Sequence, residues 1–255
     1  MSKNFLLLVL TLLYVCDTSE KHISIDNPLS HSENTFNSVE EIPLPGNYKR
    51  IAVQKGSFAE WMRTIRFKKD NRVYLYNGKL KPNQSAHFVV LDIPVGKKNL
   101  QQCADAIMRL RAEYLFNKKK YNEISFFDNS GKEYKWSEGA DRTGFENYLE
   151  KVFGWCGSAS LEKQLNPVND LTKILPGDVF IKGGFPGHAM IVIDVAIDGN
   201  GQKVFMLAQS YMPAQDIHIV KNPLDKKLNP WYAVCSSEQI ITPEYKFHRS
   251  NLRTW

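Results

Sequence analysis

The sequence predicts an α+β fold in which helices pack on an antiparallel sheet. Helical spacing of apolar residues occurs mainly in the first half of the chain, and short β-branched segments cluster between residues 178 and 220. The turn composition of residues 198–201 joins two of these segments as a hairpin. The chain has 255 residues, of which 43% are hydrophobic and 24% charged, as is typical of a globular protein with a sizeable core.

Each predicted element has a local signal. Ser57 is expected to cap a helix over residues 58–65, and the spacing of apolar residues predicts further helices over 100–117 and 144–153. Strands are predicted near residues 72–76, 86–93, 178–182, 188–197, 203–211 and 216–220.

The first 16 residues have the pattern of a secretory signal. Lys3 precedes an apolar run over residues 5–15, which is too short to span a membrane. Cys16 follows the run directly, which predicts a lipoprotein signal peptide (residues 1–16) in which Cys16 is acylated. An ordinary cleaved signal with an incidental cysteine is the alternative. Either form predicts export to the periplasm or the outer cell envelope, and a lipid on Cys16 would make the membrane a partner.

Polar residues 17–45 lack periodicity and predict a flexible tether, followed by one domain over residues 46–255. The net charge of +6 does not arise from basic runs interleaved with aromatic residues. The run 118–120 instead ends a predicted helix, where cations suit the helix dipole. Nucleic acid is therefore not a predicted partner.

His188 stands at the start of an apolar strand, in "PGDVFIKGGFPGHAMIVID". If the hairpin closes symmetrically, Ile197 faces Gln202, and His188 then faces Tyr211. Gln209 lies on the same face, diagonal to His188, and could orient its imidazole.

Cys103 opens the predicted helix of "NLQQCADAIMRLRAEYL" and is the candidate nucleophile. Unpaired N–H groups at a helix start stabilise a thiolate, so a lowered thiol pKa is expected, and the N–H of Cys103 could bind an oxyanion. The alternative is a small core residue, because Cys103 shares one helical face with Ile107, Leu110 and Tyr114.

Two further cysteines remain beside Cys103. Cys156 is surrounded by small residues and is a minor candidate for the cleft, whereas Cys235 follows an apolar segment and is predicted to lie on a strand in the core. With three cysteines after Cys16, either one pair forms a disulfide or all three are free.

Alternation along the strands predicts the faces of two further polar residues. Asp194 is predicted on the His188 side, where it either borders the cleft with Tyr211 as a buried polar partner or marks the point at which the strand leaves the core, and Ser210 is predicted on the opposite face. Asp216 and His218 are expected to be exposed at the edge of the sheet. No short-spaced ligand pair predicts a metal site, and no cofactor is expected.

These motifs resemble the papain-like cell-wall hydrolases, namely the NlpC-type endopeptidases and the CHAP amidases. The shared pattern is a cysteine opening a helix, a Pro-Gly-Asp turn, a Gly-His pair starting a strand, and a polar residue on the next strand. The resemblance implies a papain-like fold with Cys103 as nucleophile, His188 as base and Gln209 as orienting residue. It also implies cleavage of amide bonds in peptidoglycan or related peptides. The chain departs from the pattern in lacking Asp-Cys-Ser/Gly and in its longer Cys-to-His separation.

Three segments, "QQCADAIMRLRAEYL", "PGDVFIKGGFPGHAMIVIDVA" and "LAQSYMPAQDIHIVKNP", are similar to an uncharacterised family of exported bacterial proteins known as a domain of unknown function. This similarity covers nearly all of the mature chain and implies no activity. Two hypotheses therefore stand: a cysteine hydrolase, or a non-catalytic envelope-bound protein that binds a cell-wall peptide or glycopeptide in the same cleft.

Overall fold

The structure, a computed structural model, describes residues 34–137, 139 and 141–255. Predicted residues 1–16, including Cys16, and the tether up to residue 33 lie outside the described part. The described helices are α1 Phe58–Arg63, α2 Cys103–Asn117, α3 Arg142–Trp155 and α4 Ser158–Gln164. The described strands are β1 Lys49–Arg50, β2 His87–Val90, β3 Ser125–Phe127, β4 Glu133–Lys135, β5 Asn166–Pro167, β6 Val179–Lys182, β7 His188–Ile197, β8 Lys203–Gln209, β9 His218–Val220, β10 Tyr232–Ala233, β11 Gln239–Ile241, β12 Lys246–His248 and β13 Leu252–Thr254.

Nine of these strands form one antiparallel sheet. Its order is β2-β9-β8-β7-β6-β13-β5, with β1 also beside β7 and β10 also beside β8. Two small hairpins, β3-β4 and β11-β12, lie outside it. The fold is thus mixed α and β as predicted, although the sheet is more prominent than the helices. No helix in the described ranges is both long and apolar enough to cross a membrane.

Strand β7 runs through the middle of the sheet and is buried along nearly its whole length. Ala189 and Ile191 join the core cluster that also contains α1 and α2 residues, whereas Met190 and Val192 join a second cluster on the other face. Burial on both faces explains why the sequence of β7 is a continuous apolar run rather than an alternating one.

The hairpin of β7 and β8 differs from the predicted register at its turn. Ile197 pairs with Lys203 rather than facing Gln202, so the symmetric closure is wrong by one residue. The register then shifts at Ile193, where β7 carries an extra residue, and beyond it Ile191 pairs with Ala208. The two deviations cancel, so the register at the His188 end is the predicted one.

The irregularity at Ile193 moves Asp194 away from His188. Asp194 pairs with Met206, which belongs to the α1-α2 side of the sheet. Its buried carboxylate accepts hydrogen bonds from Arg50 Nε at 2.7 Å and from Arg63 Nε at 2.8 Å. The expectation that Asp194 borders the cleft is therefore wrong, because the extra residue reverses the alternation on which it rested.

Several boundaries need correction. Residues 34–45 do not form a free tether, since Val39 and Ile42 are buried in the core and the segment bridges to the chain at Arg66. The segment 72–76 makes isolated bridges rather than a strand. Strand β9 lies between β2 and β8 instead of at an edge, so Asp216 and His218 are buried and the expectation of exposure is wrong.

Candidate active site

The start of α2 and the start of β7 meet at a cleft with a volume of about 420 Å³. It collects side chains from five parts of the chain that are far apart in sequence. Its lining is Asn99, Leu100, Gln102, Cys103, Ala104, Asp105, Phe153, Gly154, Cys156, Gly157, Ser158, Gly184, Phe185, Pro186, Gly187, His188, Tyr211, Met212 and Tyr245. The cleft thus brings together Cys103, Cys156, His188 and Tyr211.

Cys103 is the first residue of α2. A capping box precedes it, in which the Gln102 N–H donates to Asp105 Oδ2 at 3.0 Å. Its half-buried side chain also packs against the core, so the two interpretations of Cys103, cleft residue and core residue, describe the same position. The cleft therefore opens at the start of α2, where packing against the core holds the Cys103 thiol in place.

The environment of the Cys103 thiol raises its pKa to about 11. Burial is the largest cause and nearby Asp105 adds to it, whereas the backbone N–H groups of Ala104, Ala189 and Cys103 lower the pKa. The contact with the Ala189 N–H places the sulfur beside the residue that follows His188. The helix start predicts a lowered pKa, but in this structure desolvation outweighs the dipole.

His188 is only 2% exposed and lies against three aromatic rings. Its ring centroid is 4.6 Å from that of Tyr211, 4.9 Å from that of Tyr245 and 5.8 Å from that of Phe247. This apolar surrounding lowers the pKa of His188 to about 4, which the hydrogen bond to Gln209 Oε1 offsets only in part. The imidazole is consequently neutral at physiological pH.

Gln209 is the direct hydrogen-bond partner of His188, with Oε1 at 2.7 Å from Nε2. Ser210 points to the other face, where its hydroxyl oxygen lies 2.9 Å from the carbonyl oxygen of Gln101 and 2.8 Å from that of Gln215, either of which can accept its hydrogen. The β7-β8 register therefore places a polar residue behind the imidazole and leaves the neighbouring hydroxyl out of the site.

A buried polar network continues behind Gln209. Its Nε2 lies 2.9 Å from Glu244 Oε2 and 3.3 Å from His218 Nε2. Lys81 Nζ lies 2.5 Å from the same Glu244 oxygen. The sequence gives no signal for Glu244 and Lys81, because they lie in irregular segments without periodicity, and His218 is predicted instead at an exposed edge of the sheet.

The loop between β6 and β7 forms one wall of the cleft. A Cβ on Gly187 would lie 2.4 Å from the carbonyl oxygen of Gly184 and 2.8 Å from Ser158 Oγ, so no side chain fits there. On the same loop, the side chain of Phe185 is 97% exposed. The glycine before His188 thus has a steric function, since it lets the loop pass close to the start of α4.

The charge of the cleft is low. No lysine or arginine is among the described lining residues. Asp105 is buried, which raises its pKa well above the ordinary range, and its Oδ1 has no partner within the described part of the chain. The buried environment thus favours the neutral form of the Asp105 carboxyl.

The remaining cysteines also have defined places. Cys103, Cys156 and Cys235 all carry free thiols, which decides between the two disulfide alternatives. Burial raises the pKa of the Cys156 thiol to about 12. Cys235 is exposed, because β10 ends at Ala233, so its predicted place in the core is wrong.

Chemically, the cleft combines a thiol, a neutral imidazole with an amide partner, and a helix start whose first N–H groups have no partner within the helix. This set can perform nucleophilic attack on a carbonyl with general-base assistance. In the residues that the structure describes, no three His, Cys, Asp or Glu side chains lie close enough together to hold a metal ion.

The comparisons with known proteins identify a family but no activity. A family model described as "Domain of unknown function (4846)" matches residues 39–144 and 137–254. No curated protein and no solved structure matches the chain.

Proposed function

This chain belongs to the DUF4846 family, defined by a domain of unknown function, and we propose that it is a cysteine hydrolase of amide bonds in peptidoglycan or related peptides. One observation carries the proposal. The thiol of Cys103 shares a cleft with His188, whose Nε2 is 2.7 Å from Gln209 Oε1. A nucleophile, a base and a residue that orients the base are the parts that such hydrolysis needs. We also propose that these three residues are arranged as in the papain-like hydrolases.

In the first step, His188 removes the thiol proton as Cys103 Sγ attacks the scissile carbonyl carbon. The new C–S bond forms while the carbonyl π pair moves to oxygen, and N–H groups at the start of α2 stabilise that oxyanion. The protonated imidazole then gives its proton to the leaving amine as the C–N bond breaks. Water, activated by His188, hydrolyses the resulting thioester and regenerates the thiol.

The electrostatics define how the proton moves. Burial raises the pKa of Cys103 to about 11 and lowers that of His188 to about 4. Both groups are therefore neutral at pH 7, and proton transfer occurs during attack rather than before it. In this respect the site is a general-base site and not a preformed thiolate-imidazolium pair.

The lining favours an uncharged stretch of peptide. Tyr211, Tyr245 and Met212 supply apolar surface near His188, and Phe185 stands exposed at the rim. A cleft whose described lining contains no lysine or arginine accepts a peptide backbone without the desolvation of a fixed cation. The amide bonds within a cell-wall peptide match this chemistry.

We also propose that the protein is exported. The signal pattern at residues 1–16 and the cysteine at its end support a location in the periplasm or the outer cell envelope, with Cys16 as the proposed lipid anchor to the membrane. At that location its domain would meet cell-wall peptides.

Incubation with purified peptidoglycan fragments tests the function. The wild-type chain should release new amino groups and peptide products, detected by amine derivatisation and mass spectrometry. Cys103→Ala should release none, whereas Cys235→Ala, which removes an exposed thiol, should behave like wild type. Equal product from Cys103→Ala and wild type would exclude the proposed nucleophile.

A second candidate is a binding protein of the cell envelope that uses the same cleft without turnover. The raised pKa of Cys103 favours it, because a protonated buried thiol is a poor nucleophile. This candidate predicts that peptidoglycan fragments bind to wild type and to Cys103→Ala with equal affinity, and that no amine is released.

A further inference from the structure

We infer that His218 and Glu244 are positioning residues that fix the side-chain amide of Gln209 and thereby leave Nδ1 of His188 as the base. This inference deepens the proposed function and rests on it for the role of His188. The positions of the protons on His218 and His188, by contrast, follow from hydrogen-bond geometry within the described residues.

The backbone carbonyl of Asp216 determines which nitrogen of His218 carries the proton. His218 Nδ1 lies 2.8 Å from the carbonyl oxygen of Asp216, which can only accept a hydrogen bond. Nδ1 of His218 therefore carries a proton. The ring has no exposed surface, and burial lowers its pKa well below the ordinary value, so the ring is neutral and its Nε2 is an acceptor.

The carboxylate of Glu244 is a second acceptor beside the Gln209 amide. Glu244 Oε2 is 2.5 Å from Lys81 Nζ, and Glu244 Oε1 is 3.3 Å from Asn83 Nδ2. Paired with the buried Lys81, Glu244 is an acceptor on the side that faces Gln209.

These two acceptors together use both N–H bonds of the Gln209 amide. Its Nε2 is 3.3 Å from His218 Nε2 and 2.9 Å from Glu244 Oε2. Turning the amide by half a rotation would place its oxygen against two acceptors and lose both hydrogen bonds. The amide oxygen is therefore directed at His188.

The orientation of Gln209 decides the tautomer of His188. Because Oε1 only accepts, His188 Nε2 at 2.7 Å must donate and so carries the proton. A neutral ring then has its lone pair on Nδ1, and this atom makes no hydrogen bond to any described residue. In the proposed mechanism this lone pair takes the proton of the Cys103 thiol, which lines the same cleft, and the hydrogen bonds that run from Asp216 to His188 keep the lone pair on Nδ1.

Long-range ¹H–¹⁵N correlation spectra of the histidine rings at pH 7 test the inference on the wild-type protein. We expect His218 to be protonated at Nδ1 and His188 at Nε2. Assignment comes from the loss of one ring's signals in His218→Phe and in His188→Phe. Protonation of His218 at Nε2, or of His188 at Nδ1, would overturn the inference. This readout needs no turnover, so it distinguishes failure of the inference from failure of the proposed function.

A kinetic comparison tests whether the positioning has consequences. Glu244→Gln keeps the size of the side chain but can turn a donor towards Gln209, so kcat should fall about tenfold, the equivalent of one charged hydrogen bond. KM should stay within about twofold, because Glu244 does not line the cleft. Glu123→Gln, which removes a remote and exposed Lys-Glu pair, is the matched control. An unchanged kcat in Glu244→Gln would remove the role of this residue.

Discussion

His188→Ala should lower kcat on a peptide substrate by about 10²–10⁴-fold, the usual contribution of a general acid-base residue. The structure gives the reason, since the thiol pKa of about 11 leaves almost no thiolate at pH 7 without a base. Gln209→Ala should cost less, about tenfold, because a neutral amide orients the imidazole without stabilising its charge. Steady-state kinetics on the folded variants measures both effects.

The pH profile provides a second check of the same prediction. Because burial lowers the pKa of His188 to about 4, the ring is neutral and able to act as base above that value. The value of kcat/KM should therefore fall only as the pH drops through about 4, where the ring gains a proton. An acid limb near 6.5 would indicate that the base is a solvated histidine, and equal kcat for His188→Ala and wild type would refute the general-base role.

Asp194→Ala should destabilise the domain by about 3–5 kcal/mol, which is the usual cost of breaking a buried ion pair by removing one partner. Asp194 has no exposed surface, and its loss leaves Arg50 and Arg63 largely buried without their carboxylate partner. The change in the free energy of unfolding is measured by urea denaturation followed by tryptophan fluorescence.

Asp70→Ala is the matched control for this change. Asp70 also pairs with an arginine, Arg72, but the two side chains are 40% and 34% exposed. A surface pair of this kind contributes about 0–1 kcal/mol. Through Arg50 and Arg63, Asp194 connects β1 and α1 to β7. Equal losses of stability in the two variants would show that these ion pairs do not stabilise the domain.

The part of the site that lies on regular elements could be predicted from the sequence. Cys103 at a helix start and His188 at a strand start both follow from local patterns, and the face shared by His188 and Gln209 follows from alternation. Alternation failed at Asp194 because one extra residue at Ile193 reverses the face, and the sequence of β7 is apolar on both sides of that point.

The residues behind Gln209 could not be predicted, because their positions depend on contacts between distant segments. His218 is buried because β2, which is more than 120 residues away in sequence, covers β9. Glu244 reaches Gln209 from the turn between two short strands, β11 and β12, which carry no clear pattern. Likewise, residues 39–42 read as a polar tether, yet two apolar side chains there suffice to join the core.

The proposed mechanism requires that Cys103 form a covalent thioester with the substrate. An activated peptide ester is incubated with the protein, the reaction is quenched in acid, and the acylated residue is located by peptide mass spectrometry. We expect a thioester on Cys103, none on Cys156 or Cys235, and no acylation of Cys103→Ala. Acylation of Cys156 or Cys235 alone, or hydrolysis of the ester by Cys103→Ala at the wild-type rate, would contradict it.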